Sequence, residues 1–147
     1  MSDNTTILSG NLTREPELRF TAAGQPVCNL GLAVNNRYQD RTTNQWTQKT
    51  MFMNVVVWGT MGENCAHSLA KGDRVTISGR LEQRAYERAG GDRVTVIDLV
   101  ALDVAVSLRW ATVGEILRNA HTSEQGELVA TVPAGAPAPA EAEVEPI

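Results

Sequence analysis

Five of the seven aromatic residues in this chain fall on polar faces or in a polar stretch, three of them among arginine and lysine, and that combination is its main chemical resource. Tyr38 and Trp46 lie in a polar stretch with Arg37, Arg41 and Lys49. Phe52 and Trp58 fall on one alternating face of a short apolar segment. Tyr86 closes a segment whose same face carries Arg80 and Arg84. An exposed ring is costly unless it meets a partner. A nucleobase is such a partner, and a neighbouring cation holds the phosphate attached to it, a combination suited to single strands with little sequence preference. Each position also has a plainer reading. Phe52 and Trp58 on a strand can instead be core. Arg80 and Arg84 could simply solvate a strand face, paired with Glu82. Trp110, in Ser107-Leu-Arg-Trp110, is assigned to packing rather than to binding.

No catalytic constellation accompanies these residues. The chain lacks a phosphate-cradling glycine loop with lysine, a nucleophile elbow, and paired metal-ligand histidines. His67 lies near Cys65 without further ligands at metal spacing. Cys28 and Cys65 are expected to be small buried apolar residues, not a zinc site or a disulfide. No apolar run approaches a membrane span, and the first residues lack a secretory pattern, so a cytoplasmic location is expected. Neither cofactor nor metal is called for.

The elements that must position the aromatics follow from period-2 alternation. Ile7–Leu12 forms a first strand. Val27–Asn36 puts Cys28, Leu30, Leu32 and Val34 on one face. Phe52–Trp58 puts Met53, Val55 and Val57 inward. Asp73–Glu87 puts Val75, Ile77, Gly79 and Leu81 inward. Arg93–Val106, rich in valine, supplies the fifth strand. Between the third and fourth, Thr60–Lys71 carries Met61, Cys65 and Leu69 at helical spacing and stops at Gly72. Asn35–Lys49 is expected to be a long polar loop. Gly90-Gly91 marks a tight hairpin turn. Five strands with one helix between the third and fourth is the order of an OB-fold barrel, an all-β class with one short helix.

Charge divides along the chain. Residues 1–110 hold 12 basic and 11 acidic side chains, a net of +1, while residues 111–147 hold 1 and 6, a net of -5. The barrel is expected over 1–112. Residues 113–147 read as a flexible acidic tail rich in proline and alanine, with disorder expected from about 121.

In order along the chain, several stretches resemble bacterial single-stranded DNA-binding proteins of the homotetrameric, one-OB-fold type. They are Ile7-Leu-Ser-Gly-Asn-Leu-Thr-Arg-Glu-Pro-Glu-Leu-Arg-Phe20, Asn29-Leu-Gly-Leu-Ala-Val34, Phe52 with Val55-Val-Val-Trp-Gly59, and Leu69-Ala-Lys-Gly-Asp-Arg-Val75 with Gly79-Arg-Leu81. The segment Val106-Ser-Leu-Arg-Trp-Ala111 is closest to actinobacterial and actinophage members, where it can clamp a neighbouring subunit. The resemblance implies base stacking at Tyr38, Phe52, Trp58 and Tyr86, where well-known members have Trp at three of the four. It places Arg41, Lys71, Arg84 and Arg88 at or near basic contacts, with Thr60 and Asn54 standing where a basic residue can occur. With the basic residues beside the rings, the expected backbone contacts are Arg41, Lys49, Lys71, Arg80, Arg84 and Arg88, and Trp46 is a possible extra stacking site.

The resemblance further implies a homotetramer, a role in DNA replication, recombination and repair, and docking of replication and repair proteins by the C-terminal tip. Here that tip carries Glu141, Glu143, Glu145, Pro146 and Ile147 and lacks the family's aromatic end. Two other readings share the barrel. One is a replication-restart adaptor that binds proteins more than DNA. The other is an RNA-binding barrel with a denser aromatic cluster.

Overall fold

The computed structural model describes residues 2–118. Six strands and one helix follow in the order β1 (Thr6–Leu12), β2 (Glu17–Phe20), β3 (Pro26–Gln39), β4 (Trp46–Trp58), α1 (Gly59–Ser68), β5 (Arg74–Glu87) and β6 (Arg93–Val106). The sheet runs β1-β5-β6-β4-β3-β2, and β1 also pairs with β3. That last pairing, Asn11 with Ala33 and Leu12 with Leu32, closes five strands into a barrel. Strand β2 lies outside the closure, paired with β3 over Pro26–Asn29. With α1 between the third and fourth barrel strands, this is the OB-fold that the alternation predicts.

The core is what the alternating faces point to. Cys28, Leu30 and Leu32 from β3 meet Val55 and Val57 from β4, Val75 and Ile77 from β5, and Leu99 and Ala101 from β6. Helix α1 closes one end with Cys65, while His67 is exposed. Gly62 lets the helix seat, because a Cβ there would strike the Val57 carbonyl. Both cysteines are free thiols and buried. Burial lifts both thiols above their ordinary pKa, and burial followed by proximity to Cys28 pushes Cys65 up to about 11.

Strand β6 changes face partway along. Gly79 pairs with Ala101 and Ser78 with Asp103, so Leu102 is an extra residue on β6. The bulge hands the inward positions from Leu99 and Ala101 to Val104. Gly79 is required there, since a Cβ would strike the Val100 carbonyl.

Two expectations are corrected. The short strand β2 adds a sixth strand to the five that alternation predicts. The polar segment 35–49 is not a long loop. Strands β3 and β4 stay paired through Gln39 and Trp46, and only Asp40–Gln45 turns. The Asp40 carboxylate accepts from the Thr42 N–H at 2.8 Å, and Asn44 takes a left-handed φ of 56°. The hairpin therefore projects as a ribbon whose residues from 35 to 39 and 46 to 51 are exposed on both faces. With no buried face there is no hydrophobic alternation to read.

Among the described residues, the compact unit of the barrel ends at Ser107. Residues 108–118 form no helix or strand. Trp110, assigned to packing from sequence, is 72% exposed, with the Arg109 guanidinium 4.8 Å from its ring centre. The residues expected to form the acidic tip, Glu141, Glu143, Glu145, Pro146 and Ile147, and the disorder expected from about 121, lie outside the described residues.

Candidate nucleic-acid interface

Alternation along β4 sends Val55 and Val57 into the core and Phe52, Asn54, Val56 and Trp58 to the outer wall. Register carries this face sideways. Ala33 pairs with Phe52 and Val27 with Trp58 on β3, while Asn54 pairs with Asp98 on the parallel neighbour β6. Beyond β6, Arg80, Glu82, Arg84 and Tyr86 of β5 lie opposite Val100, Asp98, Val96 and Val94. One continuous outer wall thus holds Phe52, Trp58 and Tyr86.

The plainer reading of these aromatics as core fails. Phe52 is 73% exposed, and Trp58 and Tyr86 are each 42% exposed. Tyr38 and Trp46 are likewise exposed, but on opposite faces of the ribbon. Trp46 pairs with Gln39 and shares the even-numbered face of β4 with Phe52 and Trp58. Tyr38 pairs with Thr47 and shares the other face with Lys49, which pairs with Asn36. Three aromatics at 46, 52 and 58 therefore stand in line, six residues or roughly 20 Å apart. Cations sit over two of the rings, Arg37 over Trp46 and Arg84 over Tyr86, each at 5.8 Å.

The basic residues do not converge. Arg41 is in the ribbon turn, Lys49 on the ribbon, Lys71 in the α1–β5 turn and Arg88 in the β5–β6 turn. None of these four has a salt bridge among the described residues. The β5 arginines are held by carboxylates instead. Arg80 pairs with Glu82 at 3.3 Å, as its plainer reading has it. Arg84 Nε donates to Asp98 Oδ2 at 2.5 Å. The turn at Arg88 is tight as expected, with Gly90 at φ 142° and Gly91 at φ 87°.

Arg14 and Asp98 carry no assignment from the sequence, and Asn54, at a position where a basic residue can occur, joins them. Arg14 lies across Gly31, whose missing side chain makes room for it, and Arg14 Nη2 donates to Asn54 Oδ1 at 3.0 Å. Asn54 Nδ2 in turn donates to Asp98 Oδ1 at 3.0 Å. Beside this chain of contacts is a cleft of about 270 Å³, lined by Thr13, Arg14, Gly31, Phe52 and Asn54 among others. The available signal was Asp98 itself, a lone carboxylate inside Val94-Thr-Val-Ile-Asp-Leu-Val100. A charge within an apolar strand is seldom buried without a partner.

Geometrically this is a closed OB barrel with a wall of exposed aromatics, a module of the class that binds nucleic-acid strands. Residues 3–107 match the description "Single-strand binding protein family", and the chain belongs to that family. It is 43% identical over 128 residues to a single-stranded DNA-binding protein of Paenarthrobacter aurescens, covering 86% of this chain and 74% of the relative. It is 42% identical over 111 residues to the single-stranded DNA-binding protein of Mycobacterium tuberculosis, covering 75% and 68%. Among solved structures it is similar to a Plasmodium falciparum single-stranded DNA-binding protein in complex with ssDNA. The TM-score is 0.68 and the identity 25%, over 73% of this chain and 97% of that one. Relatives from actinobacteria accord with the resemblance of the 106–111 segment.

Proposed function

We propose that the chain coats single-stranded DNA by stacking bases on Tyr38, Phe52, Trp58 and Tyr86, with Trp46 as a further platform, and carries out no chemistry on the strand. The observation that supports this most is the exposure of all five rings around one closed barrel. Stacking is worth roughly 1–3 kcal/mol per base, so four rings supply about 4–12 kcal/mol before ordering costs. A barrel region of net charge +1 has little else to bind with. Phosphates fall to Arg41, Lys49, Lys71 and Arg88, which no carboxylate among the described residues holds; Arg80 and Arg84 are the less available pair. The binding domain is taken as 1–112 and the tail as 113–147.

Passive coating of this kind holds strands open during replication, recombination and repair. Four barrels assemble so that a strand wraps them, and exposed Ile7, Phe20, Ile97 and Leu102 offer apolar surface for self-association. The protein works in the cytoplasm on the nucleoid. Its acidic tip, Glu141, Glu143, Glu145, Pro146 and Ile147, is the segment through which replication and repair proteins would dock. Fluorescence anisotropy with a labelled thymidine oligomer tests the reading. Saturable binding to the oligomer with little to a duplex of equal length is expected, because duplex bases are already stacked. Equal affinity for both would overturn it.

A further inference from the structure

Asp98 is the buried charged residue of the described chain, and it lies on the aromatic wall instead of in the barrel core. Both its oxygens are engaged. Asn54 Nδ2 from β4 donates to Oδ1 at 3.0 Å, and Arg84 Nε from β5 donates to Oδ2 at 2.5 Å. Asn54 is neutral, so among the described residues Arg84 is the one full positive charge bonded to this carboxylate. The Asp98 side chain is 8% exposed and that of Arg84 57%, so the cation forms the lid of the pair. That lid lies 5.8 Å from the centre of the Tyr86 ring.

A cation beside a stacking platform would ordinarily grip the phosphate of the stacked nucleotide. Here that grip has a competitor. Pulling Arg84 away would leave a buried carboxylate unpaired, which is far costlier than exchanging partners at an exposed site. We propose that Asp98 withholds Arg84 from phosphate, so that this part of the wall takes bases and contributes no counterion-releasing contact. Asp98 is a positioning residue: it acts through Arg84 and touches no nucleotide. The proposal rests on the single-strand reading above and sharpens it, because it says which arginine beside a ring does not hold the backbone.

The test is the salt dependence of binding to a thymidine oligomer. Each phosphate neutralised on a single strand changes the slope of log K against log salt by about -0.7. Asp98→Asn frees Arg84 and is expected to steepen the slope by about 0.7. Asp98→Asn combined with Arg84→Gln restores a neutral pair with an N–H donor and is expected to return the slope to that of the wild type. If Arg84 already holds a phosphate, Asp98→Asn leaves the slope unchanged and the double variant flattens it by about 0.7; that result overturns the proposal. Should the single variant fail to fold, the double variant alone decides between these outcomes. A wild type that does not bind the oligomer at all would instead overturn the underlying reading.

Discussion

Strands β3 and β4 pass through two environments. From Val27 to Val34 and from Met53 to Trp58 one face is closed on the core and the other is the outer wall. From Asn35 to Gln39 and from Trp46 to Met51 both faces are exposed. The backbone pairing is continuous across the change. Inside the barrel, a residue's parity decides whether it stabilises the fold or is offered to a ligand. On the ribbon, parity only decides which side a ligand approaches from, and both sides carry a ring and a cation. On the stacking proposal, the barrel half couples binding to a rigid wall, whereas the ribbon half presents Tyr38 and Trp46 on a support that contributes little to the core.

The largest effect that separates the two halves is on stability. Leu30→Ala, fully buried in the barrel half of β3, is expected to cost about 2–5 kcal/mol in urea unfolding. The folded fraction should bind an oligomer as before. A loss of affinity in the folded fraction would show that core and wall are not separable.

The sulfurs under α1 give the next effect. Cys65 is neutral when folded until about pH 11, against 9.0 for an ordinary thiol, and Cys28 shifts in the same direction. The unfolded chain then binds fewer protons than the folded one above pH 9, so stability falls as pH rises from about 9 to 11. At about 1.4 kcal/mol per unit, Cys65 accounts for about 2–3 kcal/mol, fully present well below pH 9. Urea midpoints measured from pH 8 to 11 in wild type and Cys65→Ala check this. The decline should be smaller in the variant, and an equal decline would assign it elsewhere.

Substitutions on the wall come third. Trp58→Ala is expected to weaken oligomer binding by about 1–3 kcal/mol, roughly 5- to 150-fold, with the melting temperature little changed. Its neighbour Val57 lies in the core, so Val57→Ala should do the reverse. Smallest are the ribbon variants. Tyr38→Ala and Trp46→Ala should each cost about 1 kcal/mol of binding and nothing in stability. Their opposite faces predict additive losses in the double variant, measurable by isothermal titration. A combined loss equal to either single loss would mean that one strand segment uses only one face.

How much of this was legible follows from what alternation reports. It reports burial on one side. Cys28-Leu30-Leu32, Val55-Val57 and Val75-Ile77 declared themselves because one side of each strand is dry, and the helix declared itself through Cys65 and Leu69. The ribbon did not, because Arg37, Gln39, Thr47 and Gln48 answer to solvent on both sides and only backbone pairing holds them. Four residues at Glu17–Phe20 were too few to show a period. The rings were found by type and by their basic neighbours, but sequence could not say that Tyr38 and Trp46 face apart, which depends on where the ribbon turns. It offered the Arg80–Glu82 pair but could not show that Asp98 holds Arg84. The second of these contacts crosses strands and depends on the β5–β6 register. Trp110 was misassigned because burial was inferred from residue type alone.

The central claim is that bases stack on the outer wall, and the most direct measurement isolates one ring of it. In a protein carrying Trp46→Phe and Trp110→Phe, Trp58 is the sole tryptophan. Its fluorescence is followed while a thymidine oligomer is added, with binding monitored in parallel by anisotropy. Strong quenching that saturates with binding is the expected result. Binding that leaves the Trp58 emission unchanged would contradict stacking on this wall.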